Sequence, residues 1–537
     1  ILQNNSFVPL PNGPCRINQL PPEILSIIFK HGVDDSDSPE PEDLFEQEQV
    51  FCDDEKSSSV LPEWSAGGDF ATRQARLVEQ EHGSYHDETS TVTSEILSFE
   101  LLISHVCRHW RNIALETPSL WTNISVTNTA CLPYERVVTY LERSKSLPLD
   151  ICIAGGVMQL PSIEADNFEA LLTLLVPHLS RWASIQVTVW RYDYIYAFFK
   201  AVSGPSVPPA TRLEELKLVC NSELGPLATA QDPKFFDHFI LFGGTAPLLR
   251  TLVLFGVSID WSQGWLQSAP NLQTLHLACH KMHFRPSCKA FSAILLGAPK
   301  LQTLKLEESG PFNYTMEPLL LPNLLELDFR DQVPLEIIWL LRGLCTPMLK
   351  ILTLNFSAET PQSYSYLVAQ LVGPATQVPP SSIGQPCSLL RSLETLNIES
   401  LPCSPDSAEM LYRELVNLKV LKFSRLHTPQ SFWDLLSPWQ PDVSGGLDFL
   451  APKWAQAGSI VIYLPSLKDL FLSGVTIFEL PALVMERRDA GVPLRSISMK
   501  RYYWTRLSDE VWLRDNLEKF EITEAESDSD EESVSDI

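Results

Sequence analysis

The strongest constraint on the fold is a six-residue string, L-x-x-L-x-L or a close variant, that recurs eleven times. It starts at Leu213 (LEELKL), Leu249 (LRTLVL), Leu272 (LQTLHL), Leu301 (LQTLKL), Leu324 (LLELDF) and Leu349 (LKILTL). It returns at Leu393 (LETLNI), Leu418 (LKVLKF), Leu467 (LKDLFL), Leu494 (LRSISM) and, in weak form, Leu517 (LEKFEI). Residues 182–187 read as a degenerate earlier copy. The last two apolar positions of each string are two apart, the period of a strand, so they point to one side and the residues between them to the other. The segments between strings carry helical patterns, as at 335–344, 364–372 and 408–415, and further helices are expected at 135–144 and 168–179. A strand–helix unit has an apolar face that only a neighbour can cover, so such units stack. The expected fold is therefore α/β: a small N-terminal helical module, then an irregular, horseshoe-like solenoid over residues 122–520. Successive strings are 36, 23, 29, 23, 25, 44, 25, 49, 27 and 23 residues apart. The two longest steps imply inserted loops, and 379–386 and 438–458 have loop composition.

The outward strand positions form a candidate recognition face. Its middle column includes Lys217, Val253, His276, Lys305, Asp328, Thr353, Asn397, Lys422, Phe471 and Ser498. The next column includes Glu307, Arg330, Asn355 and Glu399. Mixed signs and scattered apolar residues suit a protein or peptide partner better than a polyanion. We take His276, Lys305, Asp328, Arg330, Asn355, Asn397 and Phe471 as target-binding candidates.

Charge supports this. The net charge is −26, but residues 33–98 hold 18 acidic and 3 basic side chains and residues 521–537 hold 8 acidic and none basic. Those segments leave only −3 for everything else, and no basic block exists to displace counterions from a nucleic acid. Their composition predicts a disordered insertion (33–93), with a short helix possible at 71–80, and a disordered tail (521–537). A flexible leader is expected over 1–17. Eleven scattered cysteines without a C-x-x-C pair predict reduced thiols and a cytoplasmic or nuclear location. No apolar run is long enough to span a membrane, and no secretory signal is visible.

Two further strings flank the acidic insertion. The first, Leu20-Pro21-Pro22-Glu23-Ile24-Leu25-Ser26-Ile27-Ile28-Phe29, predicts one amphipathic helix over 18–31, started by its prolines and stopped by Gly32. In it Ile24, Leu25, Ile28 and Phe29 share a face. The second, Ser104-His105-Val106-Cys107-Arg108-His109-Trp110-Arg111, predicts one helix capped by Ser94 and running through Val106 and Trp110 to about Leu115. It is followed by Thr117-Pro118-Ser119-Leu120-Trp121, where Pro118 ends the helix.

Together these strings resemble an F-box, the helical module that binds the Skp-type adaptor of cullin–RING ubiquitin ligases, here over 18–121 and interrupted by the acidic insertion. The chain is similar to a fungal subgroup that continues with a string like Leu141-Glu142-Arg143-Ser144-Lys145-Ser146-Leu147-Pro148-Leu149 and then leucine-rich repeats. The resemblance implies that Leu20, Pro21, Ile24, Leu25 and Ile28 face the adaptor, with Val106, Cys107 and Trp110 completing or supporting that surface. It implies a substrate-recognition subunit of an SCF-type ligase, with an unknown protein target held by the repeats. The alternative is a leucine-rich-repeat scaffold without a ligase role. One departure is clear: where such repeats usually carry Asn or Cys after the string, this chain has Val257, His280, Ser309 and Ser357, with Asn221 the exception. A full asparagine ladder is therefore not expected.

No nucleophile elbow, zinc-protease helix or phosphate-binding glycine loop is present, so neither an enzyme nor a cofactor is expected. The one metal-like cluster, His276, Cys279, His280 and His283, would need a strand and a turn to fold back around one ion, and we expect no metal there. Ser527 and Ser529 each have an acid three residues on, which resembles the site of a casein kinase II-type kinase; phosphates there would add negative charge.

Overall fold

The computed structural model describes residues 16–36, 98–126, 134–155, 161–204, 206–221, 239–312, 317–356, 363–373, 389–438, 461–500 and 507–523. The acidic insertion, the expected helix at 71–80, Ser94, both inserted loops and Ser527 and Ser529 lie outside the described residues, apart from a few flanking positions. The chain forms two compact units, one of Ile1–Thr122 with Thr139–Leu147 and one of Asn123–Val138 with Pro148–Ile537.

The first unit is helical. A short 3-10 turn, Arg16–Gln19, precedes α1 (Pro22–Ser36), and α2 (Phe99–Val106), α3 (Arg108–Glu116) and a 3-10 turn at Pro118–Trp121 follow. Pro21 is the lead-in to α1, and its carbonyl accepts from the Ile24 and Leu25 amides. Two expectations are corrected here. Helix α1 does not stop at Gly32 but passes through it, and a side chain there would meet the Phe99 ring at 2.3 Å. Gly32 thus serves a close approach, not a helix end. The second string is not one helix: Cys107 is extended (φ −157°, ψ 168°) and separates α2 from α3, its Sγ accepting from the Trp110 amide at 3.4 Å. The unit also takes in more chain than the expected boundary at 121. Helix α4 (Glu135–Arg143) carries Tyr140, edge-on to Trp121 at 5.1 Å, and Arg143, whose guanidinium lies 4.3 Å from the Trp121 ring.

The second unit is α/β. Its strands are β1 (Asn123–Val126), β2 (Leu149–Gly155), β3 (Trp182–Val189), β4 (Glu215–Cys220), β5 (Thr251–Phe255), β6 (Thr274–Ala278), β7 (Thr303–Glu307) and β8 (Leu319–Leu320). They continue as β9 (Glu326–Arg330), β10 (Leu344–Cys345), β11 (Ile351–Asn355), β12 (Thr395–Ser400), β13 (Val420–His427), β14 (Asp469–Ser473), β15 (Ser496–Lys500) and β16 (Lys519–Thr523). All but β8 and β10, which pair with each other, form one 14-stranded parallel sheet in chain order. All eleven strings become strands, as does 182–187. Parallel neighbours require crossover connections. Helices on these include α5 (Pro161–Leu175), α6 (Tyr192–Ala201), α7 (Gly264–Gln267), α8 (Cys288–Leu296), α9 (Pro334–Gly343), α10 (Ser365–Val372), α11 (Pro405–Glu414), α12 (Gln430–Asp434), α13 (Leu480–Asp489) and α14 (Leu507–Asn516). Helices α9 to α12 pack on one another in sequence.

Register explains the string. Its fourth position forms one continuous row, in which Leu216, Leu252, Leu275, Leu304, Leu327, Leu352, Leu396, Leu421, Leu470, Ile497 and Phe520 are successive partners. The sixth forms a second row beside it. Apart from the half-buried Ile522 at the end of the second row, these side chains are buried, each worth about 1.5–3 kcal/mol relative to exposure. Strands β5 to β7, β9 and β11 to β15 start in the same way: the carbonyl of the preceding string's second residue accepts two amides from the next string, as Arg250 does from Gln273 and Thr274.

A polar ladder is present, but ahead of the strings. Asn271 donates to Pro247 O at 2.9 Å, Asn323 to Pro299 O and Asn417 to Arg391 O, each at 2.8 Å, and the Ser466 hydroxyl to Val416 O at 2.8 Å. Each uses the residue before the string's first leucine to satisfy a carbonyl one unit earlier. After the strands, Gly256, Cys279, Glu308 and Asp331 share a left-handed backbone (φ 63°, 53°, 42° and 46°), and each amide bonds a carbonyl of the next unit.

Candidate interaction surfaces

In the first unit, α1 divides its apolar residues between two sides. Leu25, Phe29 and Val33, spaced by four, are buried. Ile24, Ile27 and Ile28 are 43 %, 54 % and 42 % exposed. The single apolar face expected from the string is therefore two faces, and Leu25 is core; with no exposed area it offers nothing to a partner. On α2, Leu102 and Val106 are also exposed, one turn apart. Leu20, Cys107 and Trp110 are half-buried and Pro21 is exposed. Phe29 and Trp110, from the two separate strings, meet with ring centroids 5.0 Å apart, and the Trp110 Nε1–H donates to Asn18 Oδ1 at 2.7 Å. The Thr117 hydroxyl donates to Ser26 Oγ at 3.3 Å. The two strings are thus one packed body carrying open isoleucines.

In the second unit, register brings the target-binding candidates together. His276 neighbours Lys305, which neighbours Asp328; Arg330 neighbours Asn355. This region is not a simple solvated face: Asp328, Val253 and Thr353 are buried. Long side chains on adjacent strands cover the shorter ones between them. Arg330 Nε donates to both Asp328 oxygens at 3.3 Å and an Arg330 nitrogen lies 4.0 Å from Glu399. Asn355 Nδ2 donates to one Glu399 oxygen and Asn397 Nδ2 to the other, the latter at 2.9 Å. Lys305 lies 3.5 Å from Glu326. Glu399, in the outer column but not among the target-binding candidates, is the hub of this network, since its carboxylate reaches Arg330, Asn355 and Asn397.

Burial sets the protonation here. It pushes the Asp328 carboxyl above the usual range, against the pull of Arg330 and Lys305. Burial alone would lower the Arg330 pKa, but Asp328, Glu399 and Glu307 outweigh it and raise it, so the guanidinium stays charged. His276 is driven down to about 3 by burial, with Lys305 and Arg330 adding to this. It is therefore neutral near pH 7, and its 4.0 Å approach to Glu307 is not an ion pair there.

His280 is buried on the turn after β6. One ring nitrogen is 2.8 Å from Val257 O and the other 2.8 Å from Ser309 Oγ; burial lowers its pKa to about 4. Both nitrogens are engaged within the fold. Among the described residues no group of three or more His, Cys, Asp or Glu side chains could hold a metal ion, and no helix is long and apolar enough to cross a membrane.

No family model matches the chain, and no curated protein matches it.

Proposed function

We propose that the chain is the substrate-recognition subunit of an SCF-type cullin–RING ubiquitin ligase. The exposed strip Ile24, Ile27 and Ile28 on a helix opening Leu20-Pro21-Pro22 carries the reading. A monomeric surface rarely leaves three adjacent isoleucines in water without a partner for them. In this reading the first unit is an F-box, whose isoleucine strip, with Val106, takes the Skp-type adaptor, while Leu25, Phe29 and Trp110 support it from within. The stacked strand–helix units are a leucine-rich-repeat solenoid whose strand face holds the protein target. Ubiquitin transfer is then carried out by the other subunits, and this chain supplies proximity.

Co-purification with a Skp-type adaptor tests the reading. Wild type should retain the adaptor, and an Ile24→Asp, Ile28→Asp variant that melts like wild type should not. Equal recovery from both would sink it.

A further inference from the structure

The strand face changes chemistry along its length. From β7 to β12 its cations are paired, Lys305 with Glu326 and Arg330 with Asp328 and Glu399. From β13 to β15 they are not. Lys422 and Lys500 are exposed, and among the described residues neither has an ion-pair partner. Between them stands Phe471, 39 % exposed, with the Lys422 ammonium 5.7 Å from its ring centre. Lys422, Phe471 and Ser498 are register neighbours; Ser424, Ser473 and Lys500 follow two residues on, on the same side. The nearby acids are already held: Asp469 by Arg495 at 3.1 Å and Ser496 at 2.7 Å, Glu521 by Lys519 at 2.9 Å, and Glu399 by its own network.

We propose that this patch seats a short acidic peptide segment of the partner protein, one apolar side chain packing on Phe471 and flanking carboxylates reaching Lys422 and Lys500. Charge complementarity selects the occupant: two unmatched ammonium groups beside an open ring favour carboxylates next to an apolar anchor. Three strands span roughly 10 Å, room for about three extended residues. Two lysines are too few for the counterion release that drives nucleic-acid binding. The proposal rests on the strand face being the target surface, and not on the adaptor contact.

Fluorescence anisotropy of the full chain with a labelled peptide of Asp and Glu around one central leucine tests it. Binding should weaken at least about fivefold in Phe471→Ala, in Lys422→Glu, and when the central leucine becomes serine. Lys289→Gln, exposed on helix α8 and outside the strand face, should leave it unchanged, with melting curves confirming that each variant is folded. Equal binding to wild type and Phe471→Ala would overturn the proposal. So would tighter binding of a thymidine oligonucleotide than of the peptide. Binding that emerges only after deletion of residues 524–537 would also overturn it, because the occupant would then be the chain's own tail. Adaptor recovery is scored separately, so failure here and failure of the ligase reading are distinguishable.

Discussion

Phe29 and Trp110 come from strings separated by the whole acidic insertion, yet their rings pack 5.0 Å apart at a tilt of 53°. Trp110→Ala would remove that contact and the indole bond to Asn18, and should destabilise the first unit by about 2–3 kcal/mol. Ile24→Asp, on the open side of the same helix, should change stability by no more than about 0.5 kcal/mol. Hydrogen exchange in α1 and α3 separates the two: protection falls in the first variant and holds in the second.

Gly297 ends α8 at φ −70°, an ordinary backbone, so only space requires glycine there. A methyl group would lie 2.0 Å from Gln267 O. Gly297→Ala should therefore cost about 3 kcal/mol. Gly373→Ala, where the nearest atom is 3.3 Å away, should cost less than about 1 kcal/mol. Chemical denaturation of both variants reads the difference.

His280 has a folded pKa of about 4 against an ordinary 6.5. The unfolded chain takes up this proton first, so the neutral, buried form stabilises the fold above about pH 6.5, and that contribution is lost as pH falls toward 4. His276, lowered to about 3, acts in the same direction. Stability should drop between pH 6.5 and 4, and His280→Gln should flatten that slope while lowering stability at pH 7. A slope unchanged in the variant would count against this assignment.

Arg487 is buried on α13 and donates to Leu436 O at 2.9 Å, Leu464 O at 2.8 Å and Tyr463 O at 3.4 Å. Burial lowers its pKa to about 10, so it is still charged at neutral pH. It joins the two ends of the long connection between β13 and β14. Arg487→Met would leave three carbonyls without this donor and should cost about 3 kcal/mol. Exchange should accelerate first at residues 461–467.

Much of the second unit was legible in the string because a strand's period of two, repeated at each copy, defines a core row and an outer row. The string could not show how neighbours cover one another within the outer row. That is why Asp328 is found buried and why Glu399, although placed in the outer column, was not among the binding candidates. In the first unit, periodicity placed Leu25 with Ile24, because an apolar residue looks the same whether it meets a core or open water. Gly32 read as a stop because its reason, the Phe99 ring, lies across the acidic insertion. The cap at Cys107 left no signal, since cysteine rarely caps helices. The asparagines of the observed ladder were visible in sequence, but their carbonyl partners, one unit back, were not.

Two rows of core side chains cross the sheet unbroken, although the strings they come from are separated by steps ranging from 23 to 49 residues. Distance along the chain and distance in space are therefore uncoupled in this molecule. A connection can be lengthened, shortened or exchanged without disturbing its neighbours' alignment, since each strand takes its place from the one before it. Variation can accumulate in the connections while the scaffold is inherited intact, so the parts most open to change are those that cost the framework least.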